Sequence, residues 1–141
     1  MKEEEILIGG IEEDSIGSEQ ILVVDDESGI IRVQKAALEK YGYRVTVTTD
    51  GLEAWSTIQQ NVKRFDLLIT DQTMPFLTGV ELSKMVLSLR PNFSIILCTG
   101  YSARLYEQEA LDVGINRFIS KPIVGKEFVR VVREVLDQAV A

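Results

Sequence analysis

The residues best able to do chemistry in this sequence stand at the carboxyl ends of apolar runs. Ile21-Leu22-Val23-Val24 leads into Asp25-Asp26, and Asp66-Leu67-Leu68-Ile69-Thr70 into Asp71. Ser94-Ile95-Ile96-Leu97-Cys98 leads into Thr99, and Arg117-Phe118-Ile119 through Ser120 to Lys121-Pro122. If the runs are strands of one parallel sheet, three carboxylates, a hydroxyl and an ammonium converge on its carboxyl edge, where open α/β sheets bind ligands. Crowded carboxylates repel one another and raise each other's pKa unless a cation sits among them. A hard ion such as Mg²⁺ suits oxygen ligands, taking one or two carboxylates and leaving waters or a substrate phosphate to complete its shell. With the negative charge offset by Mg²⁺ and Lys121, one aspartate can attack a phosphoryl donor and become an aspartyl phosphate.

Each piece alone has a plainer reading. Asp25-Asp26 ahead of Ser28 can cap a helix, Thr99-Gly100 can be a turn, and Lys121-Pro122 can be a solvated lysine before a loop proline. Joint placement at four strand ends favours chemistry over structure. The chain has no histidine, which removes the commonest general base and transition-metal ligand. Carboxylates, hydroxyls and lysines must do the work.

The elements that position these groups follow one repeated grammar, a short β-branched run and then a helical pattern, five times over. The expected strands are Ile21–Val24, Arg44–Thr48, Asp66–Thr70, Ser94–Cys98 and Arg117–Ile119. Most are continuous apolar runs, which suit strands covered on both faces. The expected helices are Ser28–Tyr41, Leu52–Gln60, Val80–Leu89, Ala103–Val113 and Gly125–Leu136. In the first of them, Ile30, Ile31, Val33, Ala37, Leu38 and Tyr41 fall on one arc opposite Arg32, Lys35 and Glu39. Gly42 is placed to close that helix in a left-handed conformation. Five βα units imply an α/β fold with a doubly wound parallel sheet.

Charge divides the chain. The net charge is -7 over 141 residues, yet residues 1–19 hold one lysine and seven acids, a balance of -6. This stretch reads as an acidic leader or linker, with the domain proper spanning residues 20–141. No basic face is evident, so contact with nucleic acid or a membrane is not expected. Cys98, the single cysteine, lies in an apolar run and reads as a buried thiol. The absence of a long apolar span and of a signal-peptide pattern points to the cytoplasm.

Ile21-Leu22-Val23-Val24-Asp25-Asp26-Glu27, Asp66 to Pro75, Thr99-Gly100 and Lys121-Pro122 together resemble the receiver domains of two-component response regulators, in the family's order and spacing and with Gly79 after the Met74-Pro75 loop. The resemblance spans residues 20–138 and implies a flavodoxin-like (βα)5 fold with strand order 2-1-3-4-5. It makes Asp71 the phosphoacceptor. Asp26, Asp71 and the backbone carbonyl of Thr73 become Mg²⁺ ligands, with Asp25 acting through water. Thr99 and Lys121 contact phosphoryl oxygens, Thr99 and Phe118 form a switch pair, and the Lys121–Pro122 bond is cis. Gly100 stands where the family commonly has alanine, and Tyr101 lies where a side chain can shield the phosphoryl group from water.

The implied phosphoryl donor is a histidine kinase or phosphotransfer domain elsewhere, because this chain has no histidine of its own. Beyond self-phosphorylation and self-dephosphorylation, no enzymatic activity is expected of the segment alone. Asp71-Gln72-Thr73-Met74-Pro75 with Cys98-Thr99-Gly100-Tyr101-Ser102 also resembles receivers of hybrid sensor histidine kinases, which an acidic tether would suit. The alternative is a phosphorylation-independent interaction module, and two further rivals fare worse. A haloacid-dehalogenase phosphatase needs a second aspartate two positions after the nucleophile, where this chain has Glu27 and Thr73. A flavin carrier of the same fold would want a hydroxyl- and glycine-rich phosphate loop where Asp25-Asp26-Glu27 stands.

Overall fold

A computed structural model describes residues 11–100, 107–121 and 125–140. Five strands, β1 (Gln20–Val24), β2 (Arg44–Thr48), β3 (Leu67–Asp71), β4 (Ser94–Thr99) and β5 (Arg117–Ser120), alternate with five helices. These are α1 (Ser28–Lys40), α2 (Gly51–Gln60), α3 (Gly79–Leu89), α4 (Glu107–Val113) and α5 (Gly125–Val140). The strands form one sheet in the order β2-β1-β3-β4-β5, and every neighbouring pair is parallel. This is the doubly wound, flavodoxin-like arrangement that the resemblance implied.

The pleat explains why the strands are apolar on both sides. Successive side chains point to opposite faces. Ile21, Val23, Leu67, Ile69, Ile96, Cys98 and Ile119 therefore join one core with Leu38, Phe128, Val129 and Val132 of α1 and α5. Leu22, Val24, Leu68, Ile95 and Leu97 join a second core with Ala54, Ile58, Val80, Leu82 and Val86 of α2 and α3. Burying a branched or aromatic side chain of this size contributes about 1.5–3 kcal/mol, so the two cores hold the sheet edge rigidly beneath the polar groups at its carboxyl end.

Two helix starts are defined by side-chain caps. Asp50 accepts from the Glu53 amide at 2.8 Å to begin α2. Thr78 and Glu81 form a reciprocal capping box at α3, with bonds of 3.1 and 2.9 Å. Gly42 closes α1 at φ +100°. Strand β3 starts one residue later than expected because Asp66 is used at the strand end. Its amide donates to the Gln20 carbonyl and its carboxylate accepts from the Gln20 amide. The expected start of the fourth helix, at residues 103–106, lies outside the described residues.

One expectation is revised. The buried stripe of α1 is Ile31, Gln34 and Leu38, while Val33, assigned to the inner arc, is 49% exposed. The helix presents Gln34, 6% exposed, on its inner face, an inward polar residue that a hydrophobic pattern does not signal. Residues 11–19, within the stretch expected to be a leader or linker, make contacts with the domain. Ser15 is buried and its carbonyl accepts from the Tyr43 hydroxyl at 2.7 Å. Glu12 binds Arg130 and Glu19 binds Arg133, both on α5. A side chain on Gly42 would meet the Gly17 carbonyl at 2.4 Å, so the two glycines let the segment lie flat against the α1–β2 turn.

Candidate functional site

The carboxyl edge of the sheet brings the predicted groups together. Asp25 follows β1, Asp71 ends β3, Thr99 ends β4 and Lys121 follows β5. Carboxylate oxygens of Asp25, Asp26 and Asp71 lie within 4.8 Å of one another. Asp25 and Asp71 are 2% and 6% exposed, whereas Asp26 is open to solvent. The Lys121 ammonium sits between the two buried carboxylates, 2.9 Å from each, and 3.8 Å from Glu27. Asp26, Glu27, Asp71, Thr73, Gly100 and Lys121 line an open pocket of about 420 Å³.

Burial pushes the Asp71 carboxyl above its ordinary value; the Lys121 hydrogen bond opposes this, and the charges of Asp25 and Asp26 add to it. Burial alone would lower the Lys121 ammonium, but its bonds to Asp71 and Asp25 outweigh that and raise it, so the lysine stays charged. Among the described residues, one ammonium thus stands beside three aspartates and a glutamate. The site carries an excess of negative charge made of hard oxygen donors, with Thr73 on the same pocket wall. That donor set fits a divalent oxygen-seeking cation.

Asp25 is held by two further bonds. Its amide donates to the Thr48 carbonyl at 3.3 Å, and its carboxylate accepts from the Glu27 amide at 3.0 Å. Thr99 is buried, and its hydroxyl donates to the Ile119 carbonyl at 3.4 Å. The Lys121 amide donates to the Thr99 carbonyl at 2.7 Å, tying the two strand ends together. Phe118 pairs in register with Leu97 and is half-buried against the second core. Pro122 and Tyr101 lie outside the described residues, and with them the expected cis bond and the shielding role. Cys98 is free and buried, its thiol pushed up to about 12 chiefly by burial, which suits a packing residue.

Sequence reasoning missed Gln72. The side chain is 4% exposed and accepts from the Val80 amide at 2.9 Å. A glutamine beside Asp71 carries no periodic signal, and the contact crosses a loop. Glu27 was noticed only as part of the acidic run, although it lines the pocket.

Comparison with known proteins agrees with this geometry. The response regulator receiver domain family model matches residues 21–133. The response regulator receiver protein CpdR of Brucella abortus is 30% identical over 120 residues, covering 85% of this chain and 98% of that protein. The transcriptional regulatory protein ZraR of Klebsiella oxytoca is 33% identical over 103 residues; they cover 73% of this chain but only 23% of that longer protein. The crystal structure of a CheY-like receiver domain protein from Methanospirillum hungatei superposes with a TM-score of 0.82 at 29% identity, covering 88% of this chain and 98% of that one. The family match, the sheet order and the acidic edge agree, and the chain belongs to the response regulator receiver domain family of two-component signalling.

Proposed function

We propose that Asp71 accepts a phosphoryl group from a phosphohistidine donor, a histidine kinase or a phosphotransfer domain, and that the modified edge then alters a partner-binding surface. The observation that carries this reading is the Lys121 ammonium bridging Asp25 and Asp71 at 2.9 Å beside an open acidic pocket. A carboxylate oxygen of Asp71 attacks phosphorus and the phosphorus–nitrogen bond to the donor imidazole breaks. The bond's electron pair returns to that nitrogen, which takes a proton from solvent. Lys121 offsets charge on the phosphoryl oxygens as it already offsets the ground-state carboxylates, so little reorganisation is needed. Asp26, Asp71 and the Thr73 carbonyl would hold Mg²⁺, with Asp25 supporting through water. When bound, the ion supplies charge neutralisation and orientation of the phosphoryl group.

Thr99 is suited to sense the product. Its hydroxyl bond to Ile119 is long, at 3.4 Å, and weak by that measure, so a phosphoryl oxygen on Asp71 would compete for the hydroxyl. Movement of Thr99 would free space beside Phe118, the neighbouring aromatic on β5, and change the surface of α4 and β5. We place the domain in the cytoplasm on the sequence reading given above. None of the described helices is long and apolar enough to cross a membrane.

Intact mass after incubation with acetyl phosphate and Mg²⁺ tests the reaction. The wild-type chain is expected to gain one phosphoryl group, about 80 Da, and Asp71→Asn to gain none. Equal gain in both proteins would sink the assignment of Asp71.

A further inference from the structure

We propose that Gln72 is a positioning residue that holds the Thr73 carbonyl toward the acidic pocket by pinning both ends of the loop between β3 and α3. The inference rests on the cation reading given above and deepens it. Gln72 is bonded at three points. Its amide donates to the Cys98 carbonyl at 2.9 Å, its carbonyl accepts from the Gly79 amide at 3.0 Å, and its side-chain oxygen accepts from the Val80 amide at 2.9 Å. The residue that starts the loop therefore also grips the first two residues of α3.

The loop is anchored again in its middle. Met74 is 8% exposed and belongs to the second core. A side chain on Gly51 would meet the Leu77 Cβ at 2.7 Å, so Leu77 lies directly on the start of α2. Thr73 is itself exposed between the buried Gln72 and Met74, and it lines the same pocket as Asp26 and Asp71. Fixing both neighbours fixes the intervening peptide, so its carbonyl is available without a search over conformers. Gly79 tightens the same junction, because a side chain there would meet the Asp71 carbonyl at 2.4 Å.

A purely structural role for Gln72 would be to satisfy the first turn of α3. The Thr78–Glu81 capping box serves the Thr78 and Glu81 amides, so losing the glutamine acceptor leaves the buried Val80 amide unpaired and also unpins the loop. The two roles are therefore separable by cation affinity.

The test is calorimetric titration of Mg²⁺ into the full chain, comparing wild type with Gln72→Met, which keeps length but loses the acceptor, and Gln72→Asn, which shortens the reach. Asp26→Asn reports on the cation site itself. Wild type is expected to bind, Asp26→Asn to lose binding, and the Gln72 variants to bind about tenfold more weakly, the lower end of what partners of metal ligands contribute. Their melting in chelator is expected to fall as well, because the buried Val80 amide loses its acceptor, so affinity and not melting is the deciding readout. Unchanged affinity in either folded Gln72 variant overturns the positioning role, even if melting falls. Failure of wild type to bind Mg²⁺ overturns the cation reading and this inference together, a result distinct from the first.

Discussion

Two basic side chains, each held by carboxylates, sit at opposite edges of the sheet. At the carboxyl edge, Lys121 contacts Asp25 and Asp71, both nearly buried, at 2.9 Å. At the amino edge, Arg133 of α5 binds Glu19 through two bonds of 2.6 and 3.1 Å, and binds Asp137 at 2.9 Å. Its third contact is the Tyr43 hydroxyl at 3.2 Å, with the guanidinium over the same ring. The two clusters look alike in outline and differ in the burial of their acids. Arg133 faces two acids that keep access to water, 28% and 63% exposed, and it holds Glu19 below its usual range. Lys121 faces buried acids, and Asp71 stays above its usual range in spite of it. In one cluster the acids keep their ordinary access to water and in the other they are buried at an open pocket, which separates a clamp from a reaction site.

The comparison is broken most decisively by removing each cation. Lys121→Met is expected to slow phosphorylation of Asp71 by about a hundredfold, the loss seen when one preorganised donor to developing charge is deleted. The rate of mass gain with acetyl phosphate and Mg²⁺ measures it. Arg133→Met should leave that rate within about twofold, since it touches no group of the pocket. A comparable fall in both variants would mean that the amino-edge cluster is coupled to the site and that the division is false.

A smaller effect is expected in stability, with the order reversed. Arg133→Met removes a forked ion pair and a hydroxyl contact that fasten residues 11–19 to α5. Hydrogen bonds to charged groups contribute about 1.5–3 kcal/mol, and partial exposure reduces this, so a loss of about 1–2 kcal/mol is expected in urea unfolding. Added salt should narrow the gap between wild type and variant because the pair is partly exposed. A variant as stable as wild type at low salt would show that the segment lies against α5 without holding it.

The two regions also differ in how legible they were. Strand ends at the carboxyl edge could be read because continuous apolar runs stop abruptly at Asp25, Asp71, Thr99 and Lys121, and a parallel sheet must gather such ends. The amino-edge clamp could not. Its partners, Glu19 with Arg133 and Glu12 with Arg130, are separated by 114 and 118 positions, and acids rich in glycine neighbours look like a linker until the basic helix that receives them is placed. Gln34 and Gln72 were missed for a related reason. A glutamine turned inward carries no signal in a hydrophobic pattern, and the partner that explains Gln72, the Val80 amide, is not adjacent in sequence.

The finest test uses pH, because the two acids should titrate with opposite consequences. Asp71 has a folded pKa raised from the ordinary 3.8, so its favourable share of stability is complete below that value and is lost as pH rises through the folded pKa. Glu19 has a folded pKa lowered from the ordinary 4.5, so its share is present above that value and is lost as pH falls through the folded pKa. In chelator, urea unfolding from about pH 3 to pH 7 should show Asp71→Asn gaining on wild type as pH rises, then levelling above the folded pKa of Asp71. Glu19→Gln should show the reverse, matching wild type in acid and falling behind by up to about 1 kcal/mol toward neutrality, the usual range for a partly exposed pair. Difference curves of the same sign would show that both carboxylates are equally well compensated, and the contrast between an open site and a closed clamp would fail on its own terms.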